Sequence, residues 1–272
     1  MILTFSARRR LVRVRSVITS LGAGMFDFIL DSGGLMLMLY EAFRTLSSKP
    51  LRVRLLITQM YKMGVQSLPL VALTAMFTGM VLALQSSYQL KMFSAVKFTA
   101  DLVSLSVVRE LGPVLTAIVV AGRVGAGITA ELGTMKVTEQ LDALKALATD
   151  PIHYLVVPRV VAGFFMLFVL TIFADIIGII GGYLVCIFKL GISDHVYWSR
   201  TFFALTMRDL MSGLLKAFIF GIIISSVGCY FGFHAKGGAE GVGMATRTSV
   251  VVSLVSIIAF DCFFTALFYF VL

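Results

Sequence analysis

Residues 63–84 read MGVQSLPLVALTAMFTGMVLAL, a stretch that contains no charged side chain. As a helix that rises 1.5 Å per residue, it is roughly 33 Å long, which is enough to cross the hydrocarbon layer of a membrane. Four further apolar stretches follow it, and we predict a membrane-spanning helix in each: residues 102–123, 160–188, 210–233 and 250–272. The sequence therefore predicts an all-α fold with five transmembrane helices.

The composition leads to the same class of protein. Of the 272 residues, 59% are hydrophobic and 14% are charged, and the mean hydropathy is +0.98. A soluble domain of this size cannot bury so much apolar surface, so we predict an integral membrane protein. We divide the chain into a basic N-terminus with an interfacial helix, residues 1–50, and a transmembrane domain, residues 51–272.

Positive charge is concentrated near the N-terminus. The net charge is +9, and ten of the 23 lysines and arginines precede Gly64. Nucleic-acid binding is one interpretation of this basic end. The favoured one is the positive-inside rule, which places the N-terminus in the cytoplasm and, after five spans, the C-terminus on the other side. No nucleic acid is expected as a partner.

Residues 16–46 mix apolar residues with charged ones such as Asp27 and Glu41. This pattern favours an amphipathic helix that lies in the membrane surface, with Leu30 and Leu37 among the residues that face lipid. A sixth span is the alternative for this stretch.

Charged residues inside the apolar stretches are the first functional candidates, because each costs roughly 2.5–3.5 kcal/mol at a helix centre. Pro113 cannot donate a backbone hydrogen bond to the carbonyl of Arg109, so the helix should bend beside Arg109 and Glu110. The bend and the adjacent charges indicate the wall of a water-accessible cavity, or a structural ion pair such as Glu110 with Lys216. Asp175 and Asp261 are either proton-relay carboxylates or acids that lock helices together.

A polar segment interrupts the spans at residues 129–150. A helix over Thr134–Ala148 would place Val137, Leu141, Leu144 and Ala148 on one face and Met135, Glu139 and Asp142 on the other. The first face can rest on the membrane domain while the second inserts into a partner's groove. A solvated amphipathic loop is the alternative. Asp150 and Pro151 predict the start of the next helix.

The glycine-rich residues 237–243, GGAEGVG, predict a flexible inner loop over residues 234–247. They lack the GxxxxGK[ST] order of a phosphate-binding loop. We also find no catalytic triad, no paired catalytic carboxylates and no metal-ligand spacing. The sequence therefore predicts no enzymatic activity, no metal and no cofactor in this chain. An odd number of spans cannot contain a full inverted repeat, so a homodimer is the simplest way to build a symmetric cavity.

Five ordered motifs resemble the MlaE/YrbE permease family, over roughly residues 50–272. They are QMYKMGVQSLPLVALTAMFTGMVLALQ (59–85), RELGPVLTAIVVAGRVGAGITAELG (109–133), MKVTEQLDAL (135–144), DPIHYLVVPR (150–159) and GVGMATRTSVV (241–251). The resemblance implies a homodimeric permease of an ABC-type transporter, in the bacterial inner membrane with a periplasmic C-terminus, that moves phospholipid between inner and outer membranes. The implied partners are a cytoplasmic ATPase that holds ATP and Mg, a STAS-domain protein and a periplasmic MCE-domain lipid-binding assembly.

The resemblance also implies site residues. A coupling helix at about 131–147 docks on the ATPase, with Glu131, Met135, Glu139, Asp142 and Leu144 as its coupling residues. The lipid cavity between protomers is lined by Leu82, Gln89, Leu90, Phe93, Arg109 and Glu110. A proton-coupled secondary transporter that uses Asp175 and Asp261 is the rival interpretation.

Overall fold

The computed structural model describes residues 30–46 and 50–271, and these residues form helices and turns without a strand. The helices are α1 (residues 30–46), α2 (Val53–Lys91), α3 (Val96–Val137), α4 (Gln140–Ala146), α5 (Ile152–Phe188), α6 (Asp194–Ala204), α7 (Met207–Phe233) and α8 (Gly238–Val271). Within the described chain, α2, α3, α5, α7 and α8 are long and apolar enough to span a membrane. The prediction of an all-α protein with five spans is confirmed.

The helices extend beyond the apolar stretches that predicted them. For example, α3 continues past Arg123 to Val137, and α2 begins ten residues before Met63, at Val53. Hydropathy marks the part of a helix that suits lipid, whereas the helix ends where its backbone hydrogen bonds end. The predicted spans are therefore parts of longer helices.

The α5 helix lies at the centre of the bundle, where it packs along α2 on one side and α7 on the other. Glycines bring these backbones together: a Cβ at Gly79 of α2 would overlap the carbonyl oxygen of Gly178 in α5, and one at Gly221 of α7 would overlap that of Gly163. Close backbone approach is the main source of helix association in lipid. Gly178 is therefore a packing position of α5.

The α1 helix packs one face against the bundle. Met38 and Ala42 are buried, and the hydroxyl of Tyr230 in α7 donates to Oδ1 of Asp31 at 3.0 Å. Leu30 and Leu37 are exposed on the other side, as an interfacial helix requires. The first part of the predicted helix, residues 16–29, lies outside the described residues.

The predicted glycine-rich loop over residues 234–247 is wrong. The left-handed backbone is confined to Gly237 and Gly238, whose φ angles are +87° and +70°, and α8 begins there. Glu240 lies in the first turn of α8, where a negative charge interacts favourably with the helix dipole. Two glycines make the turn, and the others are accommodated in the helix.

Candidate functional site

Lys216 of α7 is the centre of a charged cluster formed by three spans. Its Nζ lies 2.6 Å from Oε2 of Glu110 in α3 and 2.9 Å from Oδ1 of Asp261 in α8. It also donates to the hydroxyl of Thr265 at 2.8 Å, and that hydroxyl lies 3.0 Å from Oε1 of Glu110. The Lys216 side chain is only 1% exposed, so its charge depends on these partners.

The proline in α3 creates one of the acceptors of this cluster. Pro113 has no N–H to offer to the carbonyl of Arg109, and Nζ of Lys216 lies 3.3 Å from that carbonyl oxygen. This carbonyl belongs to a π-helical turn, Val107–Leu111, which ends two residues before Pro113. The irregular backbone of α3 therefore presents a carbonyl to a cation of a neighbouring helix.

Arg109 points to a different carboxylate. Its Nε lies 3.5 Å from Oδ1 of Asp209, near the start of α7. Asp209 also accepts hydrogen bonds from the backbone and hydroxyl of Thr206, at 3.0 and 2.7 Å, so the two residues form a capping box. Because 49% of the Arg109 side chain is exposed, an anion has access to its guanidinium group.

The four apolar and amide candidates lie on or just after α2. Leu82 and Leu90 are half-buried, whereas Gln89 and Phe93 are exposed on the protomer. Gln89 and Phe93 are therefore accessible from outside the chain.

Asp175 lies away from Lys216, in the contact between α5 and α3. It is buried, and its Oδ1 lies so close to Gly112 that a Cβ there would overlap it. Neither of its carboxylate oxygens has a hydrogen-bond partner among the described residues. Asp175 and Asp261 therefore have different surroundings, since only Asp261 is paired with a cation.

The predicted coupling segment is two helices, so the single helix over Thr134–Ala148 is wrong. The α3 helix ends at Val137, Glu139 adopts a left-handed φ of +61°, and α4 begins at Gln140. We call residues 131–147 the hairpin, and the end of the bundle where it lies the hairpin end. Because the helical period does not continue through Glu139, the predicted faces change.

Some of these residues lie on the predicted side despite the break, and others do not. Leu141 is buried and Leu144 half-buried against the membrane domain, while Glu139 and Asp142 are exposed. Met135, predicted to project outward, packs against the same core cluster as Leu141. Val137 and Ala148 are exposed although they were predicted to face the bundle.

Ion pairs stiffen the hairpin. Lys136 lies 3.1 Å from Oδ2 of Asp142 and Lys145 lies 3.6 Å from Oδ1. The hydrogen bond from Lys136 lowers the pKa of the Asp142 carboxyl. A lowered pKa in the folded state means that these pairs stabilise the hairpin above the usual carboxyl pKa and lose that effect as the pH falls through the lowered value.

The start of α5 follows its prediction. The backbone N–H of Ile152 donates to Oδ1 of Asp150 at 2.9 Å, and Pro151 has helical backbone directly before the first residue of α5. Asp150 thus caps the start of α5, where the chain leaves the hairpin and re-enters the membrane domain.

Sequence reasoning missed several partners of the site. Thr206 and Asp209 have the T-x-x-D spacing of a capping box, which was visible in the sequence. Thr265 follows Asp261 by one helical turn, so the two share a helix face. Lys62 and Arg159, which both pair with Glu131, gave no signal because they come from different spans.

A family model described as "Permease MlaE" matches residues 56–267 of the chain. The chain belongs to the MlaE permease family. Its relatives include a probable ABC transporter permease protein of Rickettsia felis, 45% identical over 254 residues that cover 93% of this chain and 98% of the relative. The intermembrane phospholipid transport system permease protein MlaE of Haemophilus influenzae is 38% identical over 255 residues, which cover 92% and 96%.

A third relative is the chloroplastic protein TRIGALACTOSYLDIACYLGLYCEROL 1 of Arabidopsis thaliana, 38% identical over 211 residues that cover 78% of this chain and 60% of the relative. Together with the five spans, membership of the MlaE family supports a multi-pass ABC transporter permease and implies an ATPase partner. Within the described residues, no group of three or more His, Cys, Asp or Glu side chains is placed to hold a metal ion.

Proposed function

We propose that two copies of this chain form the membrane part of an ABC transporter that moves phospholipid between the inner and outer membranes. The N-terminus lies in the cytoplasm and the C-terminus in the periplasm. A separate ATPase subunit binds ATP and Mg and supplies the energy. The chain itself transports lipid and carries out no chemical reaction.

The observation that carries this proposal is the half-exposed guanidinium of Arg109 beside the Lys216 cluster. A phospholipid has an anionic phosphate and apolar acyl chains. The phosphate is a bidentate partner for Arg109, and Glu110 and Lys216 hold the adjacent helices in place. The exposed Phe93 and the half-buried Leu90 and Leu82 offer apolar surface for the acyl chains, with Gln89 as a polar contact between them.

The hairpin is the proposed contact with the ATPase. It lies at the other end of α3 from Arg109, so one helix connects the two sites. Glu139, Asp142 and the exposed Leu147 form the surface that a groove of the ATPase would accept. A STAS-domain protein on the cytoplasmic side and an MCE-domain assembly on the periplasmic side complete the proposed machine.

The rival function is proton-coupled transport through Asp175 and Asp261. Asp261 already neutralises a buried lysine, so its charge has a structural use. The names of the relatives also favour an ABC transporter over a secondary transporter. The rival predicts lipid movement driven by a pH gradient with no ATPase present.

Purification in detergent followed by reconstitution tests the proposal. We expect an ATPase subunit to co-purify at one copy per protomer. We expect the reconstituted complex to move fluorescent phospholipid between donor and acceptor vesicles when ATP and Mg are added. Full lipid movement by the chain alone, without nucleotide, would refute the proposal, and movement driven by a pH gradient would favour the rival.

A further inference from the structure

A second charged group lies at the hairpin end and centres on Glu131. Oε2 of Glu131 lies 3.0 Å from Nη2 of Arg159, and Oε1 lies 3.4 Å from Nζ of Lys62. Glu131 belongs to α3, Arg159 to α5 and Lys62 to α2. One carboxylate therefore joins three spans.

Arg159 holds its end of this link rigidly. Its side chain is 3% exposed, and Nη1 donates to the carbonyl of Leu155 at 2.9 Å, which fixes the guanidinium on α5. A buried cation is stable only with a partner for its charge, and Glu131 supplies that charge. A displacement of Glu131 must therefore move Arg159 as well or leave this buried guanidinium without its counter-charge.

The backbone of Glu131 is continuous with the turn of the hairpin. It lies in the regular helical run Ala126–Val137, which leads directly into the turn at Glu139. Thr129 of the same run has its hydroxyl 2.8 Å from that of Ser249 in α8 and 3.1 Å from the carbonyl oxygen of Gly228 in α7. This run thus contacts the other four spans through two side chains.

Each of the three spans joined by Glu131 has a π-helical turn next to the link. Lys62 lies inside the turn Tyr61–Val65, Leu155 inside Ile152–Val156, and the run Ala126–Val137 directly follows Ala121–Gly125. Such turns occur frequently at functional sites and interrupt the regular backbone ladder. They give α2, α3 and α5 a place where the backbone can absorb a displacement.

We propose that Glu131 is a positioning residue that carries movement of the hairpin to α2 and α5 through Lys62 and Arg159. This inference rests on the proposed function and deepens it. It gives Glu131, whose carboxylate pairs with two cations of its own chain, a role apart from contact with the ATPase. Glu139 and Asp142 remain the candidates for that contact.

The test uses the complete complex with its co-purified ATPase in vesicles. The variants are Glu131→Gln, Lys62→Gln and Glu131→Asp, and Glu41→Gln on α1 is the control for loss of an exposed carboxylate. The quantity measured is lipid transferred per ATP hydrolysed. We expect at least a fivefold fall for Glu131→Gln while ATP hydrolysis stays within twofold of the parent, a smaller fall for Lys62→Gln, and recovery of more than half the parent ratio in Glu131→Asp.

A purely structural role gives a different result. It would lower transport, hydrolysis and the Tm of the complex in Glu131→Gln together and leave the ratio unchanged, which would overturn the inference. If Glu131→Gln does not fold, Lys62→Gln decides, because it leaves the buried Arg159 pair intact; an unchanged ratio there also overturns it. If the parent complex does not move lipid with ATP, the proposed function and this inference both fail. If the parent moves lipid and the variants transfer as much lipid per ATP hydrolysed as the parent does, only the inference fails.

Discussion

Lys216 donates a hydrogen bond to the backbone carbonyl of Arg109, at 3.3 Å, an oxygen to which Pro113 has no N–H to offer. Pro113 lies four positions further along the helix, as the second residue of the regular segment Gly112–Val120. The break in α3 and the cation of α7 are thus parts of one arrangement. A proline in a membrane helix is tolerated where a neighbour satisfies the freed carbonyl, and Lys216 is that neighbour.

Replacing Lys216 should destabilise the protomer strongly. Lys216→Met leaves Glu110 and Asp261 without their cation and the carbonyl of Arg109 without its donor. We expect a loss of about 3 kcal/mol in the free energy of unfolding, the lower end for breaking a buried pair because both carboxylates are partly exposed. Unfolding in detergent measures it. The matched control adds Glu110→Gln and Asp261→Asn, which should recover much of the loss, and equal stability of Lys216→Met and the parent would contradict the assignment.

The exposed hairpin carboxylates should respond differently to charge reversal. Glu139→Lys changes an exposed side chain outside the ion pairs formed by the described residues, whereas Asp142→Lys also removes the pairs with Lys136 and Lys145. We expect Glu139→Lys to reduce the co-purified ATPase about tenfold, equivalent to about 1.4 kcal/mol of binding, without a change in Tm. Quantitative pull-down measures this. Normal ATPase recovery with Glu139→Lys would remove that residue from the interface.

The contact between α2 and α5 should not tolerate a single methyl group. In Gly79→Ala the new Cβ would overlap the carbonyl oxygen of Gly178, so the two backbones must separate. We expect a cost of about 1–3 kcal/mol, as for overpacked cores. Gly127→Ala is the control, because its Cβ meets nothing within 4 Å. A Tm that falls in the control as much as in Gly79→Ala would show that close packing is not the cause.

The capping box at the start of α7 allows its two roles to be separated. Thr206→Ala removes the cap and should cost about 1 kcal/mol of stability. Asp209→Asn retains a capping side chain but weakens the pair with the half-exposed Arg109, which is worth less than about 1 kcal/mol. A double-mutant cycle between Asp209→Asn and Arg109→Gln measures that pair. A coupling energy of zero would show that Asp209 serves the helix start alone.

The five spans were predictable because apolar length is a local property of the sequence. The pairing of Glu110 with Lys216 was one of two predicted interpretations, because opposite charges inside a membrane each need a partner, and the structure contains this pair. The contacts of Glu131 were not predictable, because they join residues 62, 131 and 159 from three different spans. Local patterns contain no information about which helix faces are neighbours.

The hairpin failed as a prediction for a different reason. Glu139 has a left-handed backbone, which non-glycine residues rarely adopt, and neither a glycine nor a proline marks the break. Because the prediction assumed one continuous helix over Thr134–Ala148, it placed Met135 on the outward face, whereas Met135 packs against the core. At residues 237–243 the error was the opposite, because several glycines were taken as a loop although only two of them have a positive φ.

The 34 residues of α8 give it a length of roughly 51 Å, whereas the hydrocarbon layer of a bilayer is about 30 Å thick. Unless α8 is strongly tilted, roughly a dozen of its residues must therefore lie outside the hydrocarbon layer. Glu240 and Arg247, near the beginning of α8, are suited to the lipid headgroups and water. A subunit that approaches the beginning of α8 would therefore contact a rigid helix and not a flexible loop.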